Sequence, residues 1–178
     1  FIGKGSANLV MRALTAQNLP NDEASCSLAL ADFLRLYSAD SAKLTTIFDG
    51  AIDALDQLRD GGFRLGICTN KPLAPTQIVL DQFGLTRFFD TVVGGDQLAS
   101  RKPDPAMLFH AMASLDVTSC LFVGDSEIDR ETATAAGQPF ALFTKGYRTS
   151  SIETLNPEFY FNEYSELLDI IYLRHKNK

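Results

Sequence analysis

Short apolar runs, each followed by a segment of helical period, dictate the architecture of this chain. Strands near 63–69, 91–95, 120–124 and 140–143 alternate with helices near 51–60, 73–83, 105–115 and 128–136. Such alternation builds an α/β fold around a parallel sheet with right-handed crossovers, because parallel neighbours need a long connection between them. A short strand at Phe159–Phe161 and a helix from Tyr164 to Leu173 close the unit. Upstream, residues 6–18 and 22–38 read as two helices. The second is capped by Asn21 or Asp22 and carries Leu28, Ala31, Phe33, Leu34 and Tyr37 around an apolar stripe.

Chemistry in an open α/β sheet collects at the carboxyl ends of the strands, and two of these ends and one stretch ahead of a helix carry polar residues. Gly124-Asp125-Ser126-Glu127-Ile128-Asp129 follows the apolar run Cys120–Val123. If a helix starts at Ser126, Asp125 and Asp129 both point back to the strand tip, where two carboxylates suit a hard divalent cation such as Mg²⁺. The run Phe63–Cys68 ends in Thr69-Asn70-Lys71-Pro72, which offers a hydroxyl and N–H groups to an anion, with the proline opening the next helix. Arg101-Lys102-Pro103-Asp104-Pro105 places a lysine ahead of the helical pattern Ala106–Leu115, as a point charge for phosphate.

Together and in this order, the three motifs resemble the haloacid dehalogenase superfamily, and its phosphoglycolate-phosphatase-like members in particular. Ile2-Gly3-Lys4-Gly5 with Leu9–Leu14 looks like that family's helical cap, and Gly94-Gly95-Asp96, Gly137 and Gly146-Tyr147 also fall where the family has them. The resemblance implies a Rossmann-like three-layer core with a helical cap that closes over the sheet and sets specificity. It implies that Thr69 hydrogen-bonds the transferring phosphoryl group, with the Asn70 N–H beside it. Lys102 would neutralise phosphate charge and hold the nucleophile's carboxylate. Asp125 would ligate Mg²⁺, and Asp129 would bind through water or orient the ligands. Lys4 and Arg12 are the candidates on the cap for contacting a substrate carboxylate. The substrate class is a small anionic phosphate ester such as 2-phosphoglycolate. A metal-free dehalogenase fits less well, since Gly124-Asp125 builds a cation site, whereas a phosphomutase shares the same motifs.

The nucleophile is the missing part. The superfamily attacks phosphorus with the first aspartate of an Asp-x-Asp-Gly stretch at the tip of its first strand, and no Asp-x-Asp occurs in this chain. Thr46-Ile47-Phe48-Asp49-Gly50 is the nearest imitation, but Ala51 stands where the second acid is needed, so Asp49 reads as an N-cap for 51–60. The chain opens on Phe1 inside the cap motif. The expectation is therefore a truncated member: a partial cap over 1–45, a core over 46–178 without its first central strand, poor stability and no turnover. A shortened, non-catalytic phosphate or partner binder is the alternative.

Composition narrows the rest. Sixteen basic against 22 acidic residues, net −6, argue against nucleic-acid or membrane-surface binding, which needs clustered Lys and Arg. No apolar run approaches the roughly 20 residues of a spanning helix, and no signal-peptide pattern is present. Three cysteines give an odd count without a close pair, and Cys68 and Cys120 lie in apolar runs, as reduced core thiols of a cytoplasmic protein would. The only histidines are His110 and His175, in a surface helix and at the terminus, which disfavours a Cys-His site.

Overall fold

A computed structural model describes residues 5–40 and 42–176. Helices α1 (Ser6–Ala16) and α2 (Glu23–Asp40) come first, then α3 (Ala51–Asp60), β1 (Gly66–Cys68), α4 (Leu73–Gln82), β2 (Thr91–Val93), α5 (Ala106–Ser114) and β3 (Phe122–Gly124). Next follow α6 (Glu127–Ala135), β4 (Phe140–Phe143), α7 (Ile152–Leu155), β5 (Phe159–Phe161) and α8 (Tyr164–Lys176). Every expected strand and helix is present. The strands are trimmed to the residues that find a ladder partner, and a 3₁₀ turn at Thr86–Phe88 and the short α7 are additions that the periodicity did not signal. Among the described residues, no helix is long and apolar enough to cross a membrane.

All strand pairs are parallel, but they form two sheets: β1 pairs with β2, while β3, β4 and β5 pair in that order. Side chains of β4 alternate across the second sheet as period 2 demands. Phe140 and Leu142 pack with Leu108 and Met112 of α5 and Ala133 of α6, whereas Ala141 and Phe143 pack with Phe161 of β5 and Leu167 of α8. Helix α5 also covers the first sheet through Met107 and Ala111 against Val93, and α3 joins α8 through Ala54, Leu58 and Leu168. The two sheets are thus held in one layer by helices on both faces.

Between them lies an apolar slot of about 430 Å³, bordered by β1, β3, α3, α5 and α8. Val123, an apolar residue in mid-strand, remains 40% exposed along it. Among the described residues, no strand pairs with the second edge of β1 or of β3. Backbone N–H and C=O groups on such edges seek a partner.

Two helix starts refine the sequence reading. Asp22 rather than Asn21 caps α2, with its carboxylate accepting the Ser25 N–H at 3.0 Å. Asp49 does not cap α3: the cap position falls on Gly50, in a left-handed conformation (φ 75°), and no side chain bonds to the first turn. Asp49 therefore stands one residue too early to reach it.

Candidate active site

Strand β3 ends at Gly124, and Ser126 starts α6 in extended conformation, with its hydroxyl oxygen accepting the Asp129 N–H. This is the side-chain half of a capping box, and it turns Asp129 back over the strand tip. There both oxygens of the Asp129 carboxylate are engaged. Oδ1 accepts from Lys102 Nζ at 2.7 Å, and Oδ2 accepts from the Ser126 hydroxyl at 2.7 Å and the Asp125 N–H at 3.1 Å. Burial works to raise this carboxyl, but the Lys102 ammonium and these hydrogen bonds outweigh it and hold it below its ordinary value.

Asp125 is placed differently. Its Oδ2 accepts the Tyr147 N–H at 3.0 Å, and Oδ1 has no hydrogen-bond donor among the described residues. Burial, aided by the neighbouring Asp129 charge, raises the Asp125 carboxyl despite the Tyr147 bond. Two glycines make room for the pair. A Cβ on Gly124 would overlap the Asp129 side chain, and one on Gly146 would overlap the Asp125 carboxylate. Glu127 pins the same loop: Oε1 accepts from the Thr149 N–H at 2.8 Å, the Thr149 hydroxyl at 3.0 Å and the Ser150 N–H at 2.6 Å. Against the opposing effect of burial, the backbone N–H bonds bring Glu127 down to about 2.

The end of β1 supplies the facing wall. The Thr69 N–H continues the β1–β2 ladder to Val93 O at 3.0 Å, and its Oγ1 accepts the Lys71 N–H at 3.1 Å, which leaves the hydroxyl proton available to a ligand. Asn70 is buried and reaches the Lys102 backbone. Lys102 itself is largely buried, with its ammonium 5.5 Å from the Phe122 ring centroid. Pro72 stands at the start of α4, as its position in the sequence suggested, and Asp96 caps that helix by accepting the Leu73 N–H at 2.8 Å.

Thr69, Asn70, Lys102, Asp125 and Asp129, from three separate segments, line one cavity of about 430 Å³. Its far wall comes from α1 and α2, through Leu9, Phe33 and Tyr37. Of the two cap residues singled out in the sequence, only Arg12 falls among the described residues. Lys4 lies outside the described residues, and Arg12 is exposed on α1 and absent from the cavity wall, because its side chain projects to the solvent side of the helix. His110 is exposed on α5, and burial pushes the Cys68 thiol up to about 11, the state of an inert core thiol.

Sequence reasoning missed Ser126, Glu127, Gly146 as the neighbour of Asp125, and the Asn70 side chain. The Ser-x-x-Asp spacing was a readable capping signal for Ser126. Glu127 reaches residues 22 positions away, and no local pattern records that.

Whether the residues present suit Mg²⁺ can be judged from the donor set. One ammonium faces two carboxylates, and Asp125 keeps an open oxygen, so a divalent cation would relieve the remaining buried charge. Among the described residues, no group of three or more His, Cys, Asp or Glu forms a closed cage. Mg²⁺ commonly binds through one or two carboxylates and retains water. The set fits.

The family model for haloacid dehalogenase-like hydrolases matches residues 2–143. The chain belongs to that family. Among curated relatives of this hydrolase, a phosphoglycolate phosphatase of Cereibacter sphaeroides is 43% identical over 171 residues, 96% of this chain and 78% of the relative. The Rhodobacter capsulatus phosphoglycolate phosphatase is 37% identical over the same shares. A crystal structure described as a predicted phosphoglycolate phosphatase from Haemophilus somnus superposes with a TM-score of 0.85 at 26% identity, covering 96% of this chain and 79% of that one.

Proposed function

We propose that this hydrolase is a phosphatase acting on a small anionic phosphate monoester such as 2-phosphoglycolate, with Mg²⁺ as cofactor. The carrying observation is the convergence of Thr69, Asn70, Lys102, Asp125 and Asp129 on one cavity at the tips of β1 and β3. The names of the relatives at 37–43% identity point to the same substrate. Thr69 donates its hydroxyl proton to a phosphoryl oxygen, and Lys102 offsets charge developing there while Asp129 fixes its ammonium. Asp125 and Asp129 would hold the cation, Asp125 directly through its open oxygen and Asp129 as an orienting group, since both Asp129 oxygens already accept hydrogen bonds. Mg²⁺ supplies further charge neutralisation for the phosphoryl oxygens.

The attacking group in this reading is an aspartate that enters through the slot between β1 and β3. A parallel strand there would complete one continuous sheet and end between Thr69 and Asp125, next to Lys102, so that hydrolysis runs through an aspartyl-phosphate. Residues 1–45 act as part of a helical cap over the core at 46–178, and the free thiols suit the cytoplasm. Without an aspartate in the slot, the same site binds phosphate but does not turn over.

The test is phosphate release from 2-phosphoglycolate with Mg²⁺, by the 178-residue chain alone and with a synthetic strand ending in Asp-x-Asp-Gly. Turnover only with the strand is the expected result. Release by the chain alone would refute an external nucleophile, and failure to bind phosphate at all would refute the phosphatase reading.

A further inference from the structure

Two lysines line the cavity, and among the described residues only one has a counter-charge. Lys102 is bonded to Asp129. Lys71 is half-buried, and no carboxylate lies within 4.0 Å of its ammonium among the described residues; its side-chain partner is the Tyr37 ring, with the centroid 5.4 Å away. Tyr37 is itself stacked on Phe33, with ring centroids 5.4 Å apart and planes at 10°. A cation over one ring is held weakly, and no acceptor among the described residues is bonded to its three donors.

The root of this side chain is fixed. The Lys71 N–H donates to Thr69 Oγ1 at 3.1 Å, and its carbonyl accepts the Gly95 N–H at 2.8 Å. The stem therefore pivots from a defined point two residues from Thr69, and its head leaves Tyr37 at small cost. Leu9, Phe33 and Ile128 make up much of the adjoining wall and offer no side-chain hydrogen bonds. That wall suits a short ligand better than a sugar with many hydroxyls.

We propose that Lys71 is a specificity-determining residue, whose ammonium swings off Tyr37 to bind a second anionic group, a carboxylate one or two carbons from the phosphate. This rests on the phosphatase reading above and replaces Arg12 in the role of carboxylate contact. The ligand class it selects is the short carboxylated phosphate monoester.

The test compares binding of 2-phosphoglycolate, ethyl phosphate and inorganic phosphate, with Mg²⁺, to the wild-type chain, Lys71→Met and Lys71→Arg. A charge-assisted contact of this kind changes affinity by roughly ten- to hundredfold. Lys71→Met should weaken 2-phosphoglycolate by at least about tenfold, leave ethyl phosphate within about twofold, and be largely rescued by Lys71→Arg. Equal weakening of all three probes would make Lys71 a phosphate ligand and overturn the proposal, as would no change in any. If the wild-type chain binds none of the three, the phosphatase reading fails as well. If it binds all three and the variant shows no carboxylate-selective loss, the Lys71 assignment alone fails.

Discussion

Asn70 and the backbone of Lys102 hold each other by two hydrogen bonds: Oδ1 accepts the Lys102 N–H at 2.9 Å, and Nδ2 donates to the Lys102 carbonyl at 2.9 Å. The side-chain amide closes the same ring of contacts that a strand neighbour would. It ties the tip of β1 to the loop before α5 and sets where the Lys102 side chain begins. Asn70→Ala should leave both Lys102 backbone groups unpaired and lower stability by about 2–3 kcal/mol. Phosphate affinity should fall with it, and urea unfolding together with phosphate titration measures both. A variant with unchanged stability would show that the pair carries no net energy.

The buried ion pair between Lys102 and Asp129 predicts a pH-dependent cost. Because the folded-state Asp129 carboxyl sits below its ordinary value of 3.8, its contribution is fully present above that value and is lost as pH falls through the folded-state value. Lys102→Met leaves the buried carboxylate unpaired, which should cost on the order of 3 kcal/mol near neutral pH. Protonation of Asp129 in acid removes that charge, so the gap from wild type should narrow as pH falls. Urea midpoints at neutral and acidic pH provide the check, and a gap that stays constant would rule out an ionic origin.

Glu127 holds the 147–150 loop by charge as well as by geometry. Its folded-state value of about 2 lies below the ordinary 4.5, so its stabilisation is complete above 4.5 and disappears as pH falls through about 2. Glu127→Gln keeps an acceptor oxygen but loses the charge, and should cost about 1 kcal/mol near neutral pH. Amide exchange at Thr149 and Ser150 should accelerate in the variant. Protection equal to wild type would mean that the loop is held by other contacts.

Asp125 and Gly146 should separate metal binding from folding. Asp125→Asn keeps an oxygen for the Tyr147 N–H but is a poor ligand for a hard cation, so Mn²⁺ binding, read by electron paramagnetic resonance, should be lost with the fold intact. Gly146→Ala forces a methyl group against the Asp125 carboxylate and should reduce Mn²⁺ affinity by about tenfold while costing about 1–3 kcal/mol. Full Mn²⁺ affinity in Asp125→Asn would remove Asp125 from the cation site.

Much of this was legible in the residues alone. The period of the apolar positions placed every strand and long helix, including β5 at its full extent, Phe159–Phe161. The residue types at two strand tips and in the loop before α5 named Thr69, Lys102, Asp125 and Asp129, and the structure brings those side chains to one cavity. What stayed hidden has a common cause. Phe33 and Tyr37 read as a helix stripe because period reports that a face is apolar and not what it faces. Asp49 was misassigned because capping preference does not reveal that Gly50 takes a left-handed turn.

The alternation of elements and the chemical inventory at the strand ends follow from local period and residue type alone. Packing between distant segments settled the rest. It divided the strands into two sheets with an apolar slot between them. It engaged both oxygens of Asp129 while leaving an oxygen of Asp125 open, and it gave Lys102 a carboxylate partner while leaving Lys71 with an aromatic ring. The Tyr147–Asp125, Lys102–Asp129 and Lys71–Tyr37 contacts behind these outcomes join residues 22 to 34 positions apart and are set by how helices and loops pack, whereas the Ser126 and Asp125 bonds to Asp129 are local.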